Sequence, residues 1–202
     1  MGSKRHQETV NSQSLPRSPE LMNREDSALL VVDAQEKLLA VIPDSGRIAW
    51  NIRRLLDAAD ALGVPIAATE QNPLKLGPLV GELKERLGPV PEKMAFTACA
   101  CGEVFERWRS ENLFRVLVCG IETHVCVMQT ALDLAAVGFE PYVAVDAVGA
   151  RHAIDHNTAL RRMEAAGVVL TTTEAAMFEW CRTADAPEFK KISALAKEKP
   201  PQ

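Results

Sequence analysis

The chain has 202 residues, with 23 basic against 27 acidic side chains and a net charge of −4. That length suits one sizeable α/β domain, and the acidic balance excludes the basic field that general nucleic-acid binding needs. A hydrophobic share of 47% excludes a disordered chain. No window reaches the ~20 apolar residues of a membrane span.

Five cysteines, Cys99, Cys101, Cys119, Cys126 and Cys181, are odd in number and lack the spacing of a disulfide framework. A reduced, cytoplasmic compartment is expected. The basic start, Met-Gly-Ser-Lys-Arg-His-Gln, has no apolar stretch behind it, so no export signal is expected.

Residues 1–25 are polar and are expected to form an extended or disordered arm, able to drape over a partner subunit. The domain itself is expected over 26–185. Ser27-Ala-Leu-Leu-Val-Val-Asp33 reads as a first strand ending in a carboxylate. Arg47 to Leu62 carries apolar residues at helical spacing, and Gly63 closes it. Val64 to Thr69 is the second strand, with Pro65 near its start. Gln71 to Gly77 is a loop, Pro78 to Leu87 a short helix, and Pro91 to Phe96 an extended piece. Glu103 to Asn112 is a helix with Val104, Phe105 and Trp108 facing inward.

The stretch from Val116 to Leu132 carries the most information. It starts as an apolar run fit for a buried strand, breaks at Gly120, and resumes from Thr123 as a helix-compatible run. Thr123 can cap that helix, and Cys126 then sits in its first turn. Unpaired N–H groups and the helix dipole favour negative charge there, so a thiol ionises more readily. The plain alternative is that Cys126 is a small buried apolar residue.

Pro141 to Val145 is a further strand ending near Asp146, and Ala153 to Ala166 is a helix stopped by Gly167. Val168 to Thr171 is the last strand, and Thr173 starts a helix through Trp180. Residues 186–202 read as a polar, basic tail.

Strand and helix alternate throughout. The pattern predicts a Rossmann-like α/β domain in three layers, with a mostly parallel sheet of about six strands in the order 3-2-1-4-5-6. The same fold class binds dinucleotides, but neither G-x-G-x-x-G nor G-x-x-x-x-G-K-[ST] follows any strand. In the predicted order the first and fourth strands are neighbours at the switch point. Asp33 and Cys126 therefore meet at the carboxyl edge of the sheet, with Lys93 in the extended piece nearby. Taken singly, such an Asp is often only a turn former and such a Lys a solvated side chain.

Three segments carry a resemblance. Leu30-Val-Val-Asp-Ala-Gln35, Glu92-Lys-Met-Ala-Phe-Thr97 and Gly120-Ile-Glu-Thr-His-Val-Cys-Val-Met-Gln-Thr-Ala-Leu-Asp133 resemble the three motifs of the isochorismatase-like cysteine hydrolases. The resemblance spans about residues 25 to 182. It implies a catalytic triad of Asp33, Lys93 and Cys126. True isochorismatases lack the nucleophilic cysteine, so Cys126 points to the amide-cleaving side of the family. Nicotinamidases add a metal site built on Asp-x-His after the second strand. Here that stretch is Thr69-Glu-Gln-Asn-Pro-Leu-Lys-Leu-Gly77, without histidine, as in the isochorismatase-domain branch whose substrates are largely undefined.

The implied reaction cleaves a C–N bond of a small amide or carbamoyl compound through a thioester, with no cofactor and no metal. Asp33 serves as general base, Cys126 as nucleophile, and Lys93 steadies negative charge. The attack creates an oxyanion that needs N–H donors. The resemblance implies a cis peptide at Ile121–Glu122, with the backbone N–H groups of Glu122 and Cys126 as the oxyanion hole. Gln35, Glu70, Gln71, Phe96, Thr123 and His124 are expected pocket walls. A small-molecule substrate and a homo-oligomer are expected, with no nucleic acid and no membrane.

Other features weigh less. Cys99-Ala-Cys101 offers only two thiols for a metal. His152 and His156 are spaced i, i+4 without the Glu of a zinc motif, which predicts a surface pair. Trp50, Trp108 and Trp180 are expected at helix–sheet or subunit contacts. The rival reading is a non-catalytic or redox-sensing thiol on the same fold.

Overall fold

A computed structural model of the chain describes residues 17–201. Residues 1–16, and with them most of the expected arm, lie outside the described residues.

Six strands build one sheet. They are β1 (Ser27–Val32), β2 (Ile66–Gln71), β3 (Glu92–Lys93), β4 (Arg115–Ile121), β5 (Glu140–Gly149) and β6 (Val169–Thr171). Their order is β3-β2-β1-β4-β5-β6, and every pairing is parallel. The central strands are buried on both faces, which explains their unbroken apolar runs. Alternation along β1 divides the core. Leu29 and Val31 face one apolar layer with Ile52, Leu55, Leu117 and Trp180. Leu30 and Val32 face the other with Trp108, Val118, Val127 and Leu134.

The first layer is supplied by α2 (Ser45–Leu62), α8 (Thr173–Cys181) and α9 (Phe189–Ala196). The second is supplied by α5 (Gly102–Ser110), α6 (Met128–Ala136) and α7 (Ala153–Ala165). Short single turns are α1 (Glu36–Leu39), α3 (Pro73–Leu76) and α4 (Gly81–Lys84). Gly63 ends α2 in the left-handed region at φ 71°, where a residue without Cβ pays no steric penalty.

Several boundaries differ from the sequence reading. The fourth strand does not break at Gly120 but runs on to Ile121. At Gly120 the backbone has φ 120°, and an added Cβ would stand 1.9 Å from the Val32 carbonyl oxygen. The glycine therefore serves close approach of β4 to β1 rather than strand termination. Strand β5 is ten residues long, with a register shift against β4, so Asp146 lies inside it. The Asp146 Oδ1 accepts from the Thr173 N–H at 2.7 Å and the Thr173 hydroxyl at 3.0 Å. It thus caps α8 from a neighbouring strand. The helix expected over 78–87 is only the turn α4, and the expected loop after β2 contains α3. Just Glu92 and Lys93 of the extended piece pair with β2.

The two ends of the described chain also pack more closely than expected. Met22 is fully buried, its N–H donates to Glu179 Oε2 at 2.8 Å, and Arg17 donates to the Glu179 carbonyl at 2.7 Å. Arg17 and Met22 are therefore tied to α8, while the Pro19 and Glu20 carbonyls accept from Arg115 of β4 and Tyr142 of β5. The tail read as polar contains α9. Its Ile192 is fully buried, and the Leu195 carbonyl accepts from Arg54 Nε at 3.0 Å. Trp108 and Trp180 fill the two core layers. Trp50 donates to Glu198 and lies under the Arg54 guanidinium.

Candidate active site

The carboxyl edge of the sheet brings three groups together. Asp33 follows β1 directly and turns out of it in the left-handed region, at φ 50°, a conformation Asp tolerates better than most residues. Lys93 ends β3 with its side chain directed inward. Its Nζ donates to Asp33 Oδ2 at 2.6 Å, Gln71 Oε1 at 2.9 Å and the Phe96 carbonyl at 2.9 Å. The Thr69 hydroxyl donates to Asp33 Oδ1 at 2.8 Å, so both carboxylate oxygens are held.

Cys126 completes the group. It is 4% exposed. Its thiol and the Asp33 carboxylate lie close enough that each shifts the ionisation of the other. Burial pushes the Asp33 carboxyl above the usual range, and Lys93 beside it pulls the other way without cancelling that effect. Burial, and then the negative Asp33, push the Cys126 thiol far up, with Lys93 opposing. The thiol therefore rests protonated, with Asp33 beside it as the candidate base.

The turn bearing Cys126 differs from the expected first turn of an α-helix. Thr123–Val127 is π-helical, with i→i−5 bonds from Val127 N–H to the Glu122 carbonyl and from Met128 N–H to the Thr123 carbonyl. Such turns recur at functional sites. Thr123 does not cap it. The residue before the turn is Glu122, and no side chain makes a cap bond there. The Thr123 hydroxyl instead lies 3.0 Å from His156 Nδ1. His156 is thereby half-buried against this turn, and burial lowers its pKa, while His152 alone stays exposed. The surface pair expected of these two histidines is thus divided. The Ile121–Glu122 peptide is cis.

The expected pocket walls separate into different roles. Gln35 is fully buried, accepts from the Gln71 N–H at 2.7 Å and donates to the Gln71 and Gly77 carbonyls. These bonds tie the end of β1 to β2. The Glu70 carboxylate accepts from the Leu79 N–H at 2.7 Å and ties down the segment before α4. Gln71 reaches the site by its bond to Lys93, and its amide also holds the Met94 carbonyl at 2.9 Å. Phe96 has its side chain exposed and contributes its carbonyl to Lys93. Thr123 is fully buried. His124 is half-buried, and its Nδ1, shielded from solvent, has no hydrogen-bond partner among the described residues.

Two residues escaped the sequence reading. Thr69 was seen only as part of a segment without histidine, although its register opposite Val32 places it beside Asp33. Arg151 had no motif to mark it. Its N–H and Nε both donate to Glu122 Oε2, at 3.2 and 3.1 Å. Among the described residues, no group of three or more His, Cys, Asp or Glu is arranged to hold a metal ion. No helix among them is long and apolar enough to cross a membrane.

Comparison with known proteins places these features in a family. The isochorismatase domain model matches residues 27–175. Isochorismatase domain-containing protein 2A of Mus musculus is 39% identical over 178 residues, covering 88% of this chain and 85% of that protein. The MAR1 ribonuclease structure from Caenorhabditis elegans is similar with a TM-score of 0.83 and 37% identity, covering 90% of this chain and 95% of the other. The ycaC gene product of Escherichia coli, described as an octameric hydrolase of unknown specificity, is similar with a TM-score of 0.80 and 25% identity. That match covers 89% of this chain and 92% of the other.

Proposed function

This chain belongs to the isochorismatase family, a hydrolase fold, and from that membership we propose that it is a cysteine hydrolase cleaving a C–N bond of a small amide or carbamoyl-type substrate. The observation that carries this reading is the convergence of Asp33, Lys93 and Cys126, with Lys93 Nζ 2.6 Å from Asp33 and the buried Cys126 thiol close enough to both to feel their charges.

The Asp33 carboxylate takes the thiol proton as the sulfur adds to the substrate carbonyl carbon. The carbonyl electrons move to oxygen, and the backbone N–H groups of Glu122 and Cys126 receive that oxyanion. The intermediate collapses, the C–N bond breaks, and the leaving amine takes the proton from Asp33. The acyl group remains on sulfur as a thioester. Water then adds with Asp33 again accepting a proton, and the C–S bond breaks to release the acid or carbamate. The departing sulfur recovers its proton from Asp33. Lys93, bonded to Asp33, offsets the negative charge shared by Asp33 and sulfur. Each proton-transfer partner is thus present in the chain, and the scheme draws on no cofactor.

Near-complete burial of Cys126 supports a small substrate. Met94 and Phe96 expose their side chains on the segment whose carbonyls hold Lys93. A homo-oligomer covering that apolar rim fits the octameric state printed for the Escherichia coli neighbour. Five free thiols support a reducing, cytoplasmic setting.

The test is a turnover screen with small amides, carbamoyl compounds and ureides, reading ammonia or amine release. An RNA oligonucleotide is included because one structural neighbour is named a ribonuclease. Wild type should release amine from at least one compound. Cys126→Ala should lose about a thousandfold or more of that rate while keeping its unfolding midpoint. RNA cleavage without amide cleavage, or only reversible oxidation of Cys126 without turnover, would overturn the reading.

A further inference from the structure

Glu122 joins the end of β4 to the turn that carries Cys126. Its carbonyl accepts from the Val125 N–H at 3.0 Å and the Val127 N–H at 3.2 Å. Its carboxylate Oε2 accepts from the Arg151 N–H at 3.2 Å and from Arg151 Nε at 3.1 Å. Its own N–H meets no acceptor among the described residues. The residue is thus held by both its carbonyl and its side chain, and its backbone donor is left free.

A carboxylate at this position carries an electrostatic penalty. The ionisable groups that act on Cys126 are Asp33 after β1, Lys93 in β3 and Glu122 after β4. His124 lies within the same turn, and His156 of α7 packs on that turn through Thr123. Of these, Asp33 and Glu122 both disfavour negative sulfur, and only Lys93 favours it. Lys93 is already engaged by Asp33. A second anion beside a developing thiolate and oxyanion opposes both unless it is matched. The Glu122 side chain is 9% exposed, so water screens its charge poorly, whereas the Arg151 side chain is 52% exposed and keeps about half of its contact with water. The pair therefore desolvates one charge and leaves its partner half in water.

We propose that Arg151 is a positioning residue for the thiol chemistry of this site. It clamps Glu122 through backbone and guanidinium together, fixing the residue that precedes the turn bearing Cys126 and offsetting the carboxylate that would otherwise oppose a negative sulfur. The catalytic consequence rests on the cysteine-hydrolase reading above; the effect on the thiol does not.

The test is alkylation of Cys126 in the full chain by iodoacetamide across pH, followed peptide by peptide so that the other four thiols are resolved. No substrate is needed. Arg151→Gln keeps the backbone donor and removes the cation. It should slow Cys126 alkylation at neutral pH about tenfold, the effect of one unit of added thiol pKa. Arg151→Lys should recover part of the rate. Combining Arg151→Gln with Glu122→Gln removes both charges and should restore alkylation towards wild type. On an amide identified by turnover, Arg151→Gln should lower kcat with little change in KM. A wild-type alkylation profile for Arg151→Gln overturns the proposal. So does a double variant that reacts as slowly as the single one, because a merely structural role predicts no rescue. Failure of the hydrolase reading is seen separately, as amide turnover that survives Cys126→Ala.

Discussion

Lys93 Nζ lies 2.6 Å from Asp33 Oδ2, with the two side chains 1% and 0% exposed. The pair is unevenly supported. Without Asp33, the ammonium would keep Gln71 Oε1 and two main-chain carbonyls, those of Ala95 and Phe96. Without Lys93, the carboxylate would keep the hydroxyl of Thr69 as its one side-chain hydrogen-bond donor among the described residues. The lysine is therefore the partner whose loss strands a buried charge.

Lys93→Met should destabilise the fold by about 3–5 kcal/mol at pH 7, the usual cost of a buried charge left alone. Lys93→Met combined with Asp33→Asn removes both charges and should regain most of that stability, yet neither variant should turn over substrate. Urea unfolding midpoints beside amide turnover separate the two effects. A double variant no more stable than Lys93→Met would show that the pair's worth lies in packing rather than charge.

The acid side of the activity profile follows from Asp33. Its carboxyl is raised above the ordinary value of 3.8 by burial, with Lys93, Cys126 and Thr69 pulling it down. Since the carboxylate is the base, kcat/KM should rise with pH through a limb lying above 3.8. Thr69→Val removes a bond to the charged form, so the limb should move to higher pH. The linked stability has a definite sign. A native pKa above the unfolded one stabilises fully below the unfolded value, and that contribution is lost as pH rises through the native value. The deficit of Thr69→Val against wild type should accordingly be smaller near pH 4 than at pH 7. Equal deficits at both pH values, or an unmoved limb, would show that Thr69 does not set the ionisation of Asp33.

Much of this site was legible because period and order survive in one sequence. Alternating apolar strands and helices predict the sheet order, and order alone carries Asp33 to the edge where Cys126 lies. What was missed depends on tertiary partners. The tail reads as polar because lysines and prolines flank a short apolar stretch, yet in α9 the buried Ile192, the partly buried Phe189 and Leu195, and the Leu195 carbonyl held by Arg54 of α2 dock it on the core. Strand β5 was cut short because Asp146 resembles a terminator, and only the neighbouring α8 N-terminus explains a carboxylate inside a strand. The hydrogen bonds of Gln35 and Glu70, expected pocket residues at strand ends, were likewise out of reach of the sequence. Their side-chain oxygens accept from the backbone N–H groups of Gln71 and Leu79, pairings that no local pattern reveals. The π turn was hidden because its sequence is equally fit for an α-helix.

Gly120 tests whether the approach of β4 to β1 sets the site. Its φ of 120° is one that L side chains rarely adopt, and an added Cβ would lie 1.9 Å from the Val32 oxygen and 2.7 Å from the Val32 carbonyl carbon and nitrogen. Those atoms belong to a central strand and cannot rotate away. Relief requires β1 and β4 to part, and Asp33 is the next residue after Val32, so separation also draws the base from Cys126. Gly120→Ala should cost more than about 4 kcal/mol, in the range reserved for core overpacking and forced backbone. Gly63→Ala is the internal control. Gly63 also has positive φ, at 71°, but nothing lies within 4 Å of its added Cβ. Its cost should stay near the 1–2 kcal/mol of a left-handed residue alone. Urea midpoints of the two variants give the comparison directly. If both variants lose the same small amount, contact with Val32 does not constrain the sheet, and the glycine is required for its backbone angle alone. Should Gly120→Ala fold poorly at 25 °C, its expression at lower temperature allows Cys126 alkylation to be measured. A wild-type profile there would show that β1 and β4 part without moving Asp33, against the geometry described.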